Sequence, residues 1–146
     1  MKKYSLLFLW VIFNFSICAT AAPSVVYQRH LPRKMQVFLD RHFGKYEIEK
    51  LEYDAEDGEC KVKYSNGIEV EFDDFGSLIE IESDYAPLPK SIIDILPSPA
   101  IDFIAKRYSQ RPIRKIKYKS GTYKVKLGKS LEIIFDERGN VIEIDD

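Results

Sequence analysis

CKVKYSNGIEVEFDDFG (Cys60–Gly76) and YKVKLGKSLEIIFDERG (Tyr123–Gly139) can be laid over one another without a gap. In the first stretch Cys60, Val62 and Tyr64, then Ile68, Val70 and Phe72, alternate with charged residues, and in the second Tyr123, Val125, Leu127, Leu131, Ile133 and Phe135 take the same places. Period-two alternation of this kind is the pattern of a strand with one buried face. With Tyr64 opposite Ile68, the loop between the runs is Ser65-Asn66-Gly67, a three-residue hairpin with glycine available for the left-handed position. That register sets Lys63 against Glu69 and Lys61 against Glu71. In the second stretch Gly128-Lys129-Ser130 takes the loop, setting Lys126 against Glu132 and Lys124 against Ile134.

The likeness extends outward in both directions. Downstream, Ile79-Glu80-Ile81 matches Ile142-Glu143-Ile144 after turns at Asp74–Ser77 and Glu137–Asn140. Upstream, after a two-residue difference in loop length, Leu51 and Tyr53 match Ile116 and Tyr118, and Leu31-Pro32 matches Leu96-Pro97. Between these landmarks Phe38, Leu39, His42 and Phe43, like Phe103, Ile104, Arg107 and Tyr108, have the spacing of an apolar helical stripe, and each proline suits a first helical turn. Each copy therefore predicts one helix followed by four strands. Residues 83–95 connect the copies through Pro87 and Pro89 and predict a short helix over Lys90–Ile95. A unit of about 50 residues buries little surface alone. The fold expected is α+β, a tandem repeat of helix plus four-stranded antiparallel meander, with all helices on one face of a shared sheet of about eight strands.

At the N-terminus Lys2 and Lys3 precede the uncharged run LLFLWVIF (Leu6–Phe13), and Ala19-Thr20-Ala21 is a small-x-small cleavage site. This is the pattern of a secretory signal peptide, and its apolar run is too short for a membrane span. The expected organisation is signal peptide 1–21, N-terminal segment 22–30, first repeat 31–82, connection 83–95 and second repeat 96–146. The protein is expected to be exported, periplasmic or extracellular. Of 146 residues with a formal charge of −1, removal of 1–21 takes away two lysines and no acid, leaving 125 residues with 20 basic and 23 acidic side chains and a charge of −3. With 45% hydrophobic and 13% aromatic residues the chain is globular, and without a basic excess it does not have the balance of a nucleic-acid binder.

The repeated pattern LP-x(5)-F[LI]-x(3)-[FY], followed by [LI]E[VI]-x-FD-x-x-G-x-[LV]IEI behind a signal peptide, resembles the PepSY-like family, described as similar to the beta-lactamase-inhibitor protein. The resemblance runs from Leu31 to Asp146, twice over, and its motifs are structural. It implies exported bacterial proteins that bind or inhibit other proteins, peptidases among the suspected targets, and it offers no catalytic residues to carry over.

The residues themselves lead to the same place. His42 with Cys60 is the one conceivable catalytic pair, but the repeat puts Arg107 and Tyr123 at those positions, which reads as a helix edge and a core slot. Cys and His do not cluster as zinc ligands, and Asp73-Asp74 before Gly76 reads as a hairpin turn before it reads as a calcium loop. No cofactor or metal is expected. What remains is the charged sheet face, where Lys61, Lys63, Glu69, Glu71, Lys124, Lys126, Glu132 and Ile134 are the candidate partner-binding residues. That face is either a solvated surface or a docking site for another protein, with Ile134 an exposed apolar anchor where the first copy has Glu71. A monomer is expected before an oligomer. The alternative function is a small-ligand carrier or sensor, with Tyr53, Phe75, Tyr85 and Tyr118 lining a cleft between copies.

Overall fold

The computed structural model describes residues 31–54, 56 and 58–146. The predicted signal peptide and residues 22–30 lie outside the described residues. Helix α1 (Arg33–Phe43) is followed by β1 (Ile48–Tyr53), β2 (Cys60–Tyr64), β3 (Ile68–Phe72) and β4 (Leu78–Ser83). After the short α2 (Lys90–Ile93) come α3 (Ser98–Arg107), β5 (Ile113–Lys119), β6 (Thr122–Leu127), β7 (Leu131–Asp136) and β8 (Val141–Asp145). The eight strands form one antiparallel sheet in sequence order, with β4 paired to β5 across the junction of the repeats.

The expected hairpin registers are observed. Lys61 pairs with Glu71 and Lys63 with Glu69, while Lys124 pairs with Ile134 and Lys126 with Glu132. Gly67 sits at φ 81°, where a side chain is disfavoured, and its N–H donates to the Tyr64 carbonyl at 2.9 Å. Irregularities recur at matching places in both copies. The ladder shifts between Ile48 and Lys50 and between Ile113 and Lys115, and again between Glu71 and Phe72 and between Ile134 and Phe135. Bulges re-aim side chains, so repeating them preserves which face each residue meets.

Pro32 and Pro97 precede the first residues of α1 and α3 as helix caps. α1 buries Met35, Leu39 and Phe43, a stripe with a spacing of four that includes Met35 in addition to the predicted positions, while Phe38 packs at its flank and meets Phe72 edge-on at 5.6 Å. In the second copy Phe103 meets Phe135 in the same way at 6.0 Å. α2 ends at Ile93, two residues short of expectation, because Leu96 N–H bonds back to Ile93 in a tighter turn leading to Pro97. Buried Leu88, Ile92 and Leu96 belong to the same core cluster as the strand residues Ile81 and Ile116, so the core runs unbroken across the junction.

Candidate functional site

Both repeats aim the same register positions away from the helices, and those positions carry the charges. On β2 and β3 Lys61 reaches Glu71 at 2.5 Å and Lys63 reaches Glu69 at 2.9 Å. On β6 and β7 the geometry departs from the straight cross-strand pairing. Lys124 faces Ile134 in register but leans diagonally to Glu132 at 2.9 Å, leaving Lys126 without a carboxylate partner among the described residues. Pairs as exposed as these contribute a few tenths of a kcal/mol each. Their contribution lies in the pattern they impose on the surface, and the fold does not depend on them.

The centre of the face holds residues that local periodicity does not bring together. Across the junction Glu80 pairs in register with Lys117 and Glu82 with Lys115. The Glu80 carboxylate touches the Lys115 ammonium and lies 2.9 Å from that of Lys117, and it is only 8% exposed. Burial pushes the Glu80 carboxyl up, but the hydrogen bonds and charges of the two lysines outweigh it and hold the group below the usual carboxylate range. Lys115 is opposed by its own desolvation and is nevertheless raised by Glu80 and Glu82, the latter at 3.1 Å. The rows of charge therefore run in blocks of two strands across the centre of the face. β3 and β4 are both acidic, β5 and β6 both basic. The lysines of β5 were not among the sequence candidates, although Lys115, Lys117 and Lys119 repeat at period two in IRKIKYK.

Two shallow depressions lie on this charged surface. One, of about 580 Å³, is lined by Glu52, Tyr53, Asp54, Glu56, Glu59, Lys61 and Glu71. The other, of about 560 Å³, is lined by Glu80, Lys115, Lys117, Lys119, Ser120, Thr122, Lys124, Glu132 and Ile134. Ile134 is half-buried among these groups and not fully exposed as expected, because its neighbours on β6 and β8 flank it.

The other sequence candidates go elsewhere. His42 packs against Phe38 at 4.6 Å, with its imidazole lowered by burial and by Arg41. Cys60 lines a different, apolar hollow of about 390 Å³ together with Leu31, Met35, Leu51 and Tyr53, and burial pushes its thiol up, away from the nucleophilic thiolate. His42 instead lines the hollow beside Gly76. Asp73 is used by its own turn, its carboxylate accepting from the N–H groups of Phe75 and Ser77, and Asp136 repeats this with Arg138 and Asn140. No group of three or more His, Cys, Asp or Glu side chains among the described residues is placed to hold a metal ion. The four aromatic residues expected to line a cleft do not converge. Tyr53 belongs to the first repeat's hollows, Tyr118 meets Tyr123 with tilted rings at 4.9 Å, and Tyr85 and Phe75 stand exposed. No helix among the described residues is long and apolar enough to cross a membrane.

Solved structures share this architecture. A "putative periplasmic protein" of the DUF2874 family from Bacteroides vulgatus is 31% identical with a TM-score of 0.70, covering 82% of this chain and 93% of that one. A "putative calcium-regulated periplasmic protein" from Bacteroides thetaiotaomicron is 29% identical with a TM-score of 0.73, covering the same 82% and 93%. A second Bacteroides vulgatus protein, a "putative periplasmic protein of unknown function", is 26% identical with a TM-score of 0.70, covering 81% of this chain and 94% of that one. Comparison with functionally curated proteins finds no match. The sequence model of the family described as "Putative beta-lactamase-inhibitor-like, PepSY-like" matches residues 20–80 and again 58–143. With two matching regions, an eight-stranded sheet that repeats even its bulges, and periplasmic proteins among its structural neighbours, this chain belongs to the PepSY-like family.

Proposed function

We propose that the protein is an exported, non-enzymatic binding module whose open sheet face docks another protein. The observation that carries this reading is the face itself. α1 and α3 pack on the opposite side of the sheet, and the charged positions of the open face stay half-exposed in ordered cross-strand pairs. Such a surface sets partner selectivity and encounter rate more than affinity. Export is supported by the signal-peptide pattern of residues 1–21 and by the periplasmic neighbours. The raised Cys60 thiol and its placement away from His42 support the non-enzymatic reading. The family resemblance points to an envelope or extracellular enzyme, peptidases among them, as the partner class. The chain acts as a monomer with two repeats, 31–82 and 96–146, joined by 83–95.

A small-ligand carrier is the second reading, and one observation favours it: the 390 Å³ apolar hollow at Cys60, which lies within the first repeat and not between the two. The two readings separate in one experiment. Mature protein and a Lys61→Glu, Lys63→Glu, Lys124→Glu, Lys126→Glu variant are used as bait in envelope extract. Partner recovered by the wild type and lost by the variant supports the docking face. Equal recovery by both discards it.

A further inference from the structure

The two depressions on the open face occupy matching places in the two repeats and have opposite charge. Lining positions correspond pairwise through the repeat: Glu52 with Lys117, Asp54 with Lys119, Glu59 with Thr122 and Glu71 with Ile134, while Lys61 and Lys124 agree. Between the matched positions 119 and 122 lies only Ser120-Gly121, both at positive φ, where the first repeat has residues 55–58 and with them Glu56. One change of loop length and four of side chain thus convert an acidic depression into a basic one.

In the basic depression the carboxylates are already engaged. Glu80 holds Lys115 and Lys117, and Glu132 holds Lys124. Lys119 on its rim has no carboxylate partner among the described residues. Ile134 contributes an apolar side chain in the same depression, at the position where Glu71 binds Lys61 in the first repeat. Cationic groups around a half-buried isoleucine match a segment that presents carboxylates beside an apolar side chain. In the acidic depression Lys61 is held by Glu71 and Glu69, and Glu59 has no cation partner among the described residues.

We propose that the depression over β5–β7 receives an acidic segment of the partner protein, anchored by an apolar side chain on Ile134, and that its twin over β1–β3 repels the same segment. One partner segment then binds per chain although the fold is duplicated. This rests on the open face being the docking surface and adds which repeat binds and the charge of what it binds.

The test uses the mature chain and two labelled peptides, one of alternating Glu and Leu and one of alternating Lys and Leu, followed by fluorescence anisotropy and calorimetry. The Glu/Leu peptide binds with a stoichiometry of one and weakens about tenfold or more when salt rises from 50 to 500 mM. An Ile134→Glu, Lys119→Glu variant, shown folded by circular dichroism, loses at least about tenfold in affinity. A Glu52→Lys, Glu71→Ile variant of the first repeat raises the stoichiometry towards two. Binding of the Lys/Leu peptide in preference overturns the proposal, as does Glu/Leu binding that ignores the second-repeat variant, or phosphatidylglycerol vesicles that bind where the peptide does not. If these arms fail while the four-lysine variant still loses its partner from extract, the docking face stands and only this assignment falls.

Discussion

Glu80 and Glu143 occupy the same place in the two repeats, yet Glu80 is 8% exposed and held by two lysines, while Glu143 stands open on the edge strand β8. Beside them Ile81 is fully buried and its counterpart Ile144 is 45% exposed. Identical local sequence has different environments because β4 has β5 beside it, whereas among the described residues no strand pairs with the far side of β8. Duplication copied the fold. The end of the sheet then decided which copies of each residue became core and which remained available at the surface.

That difference can be broken by substitution. Ile81→Ala removes a buried side chain at the junction and costs about 2–5 kcal/mol, whereas Ile144→Ala costs about 1 kcal/mol or less, both read by denaturant unfolding. Equal losses would mean the junction is not a shared core. Glu80→Gln leaves Lys115 and Lys117 without their buried partner and costs about 1–3 kcal/mol, while Glu143→Gln stays within about 0.5 kcal/mol. Because Glu80 has its carboxyl held below the ordinary range in the folded chain, its contribution is complete above the unfolded value and is lost as pH falls through the folded one. The gap between wild type and Glu80→Gln therefore closes in acid.

Smaller effects sharpen the comparison. Gly139 sits at φ 85° with an added Cβ 2.8 Å from the Ala100 backbone nitrogen, whereas at Gly76 (φ 75°) the nearest atom is the flexible Met35 side chain at 3.3 Å. Both alanine substitutions cost about 1–2 kcal/mol of left-handed strain, and Gly139→Ala falls further because backbone cannot give way. At the smallest scale, alkylation of Cys60 at pH 8 proceeds at least about tenfold more slowly than that of an exposed thiol until the protein unfolds, since burial raises its pKa.

Much of this was legible from alternation and turns. Val62, Val70, Val125 and Ile133 announce the buried face, and a single loop residue, Gly67 or Gly128, follows or opens the hairpin that fixes the register. The charge pattern at the centre was not, because Glu80 meets Lys115 and Lys117 only through the β4–β5 pairing, a contact between repeats that no local period encodes. Lys124 likewise chooses Glu132 over its register partner because Ile134 offers it no acceptor. The opposite signs of the two depressions follow from Lys117, Lys119 and Ile134 lying around one hollow, a juxtaposition of three strands' residues that alignment of the repeats does not encode.

The proposed docking rests on binding by one repeat of the two, through its open face. Amide chemical shifts of the isotopically labelled mature chain, followed during titration with the Glu/Leu peptide, test it most directly. The expected result is shifts concentrated at Lys117, Lys119, Lys124 and Ile134, with Glu52, Lys61 and Glu71 unmoved. Shifts centred on β1–β3, or equal shifts in both repeats, would contradict it.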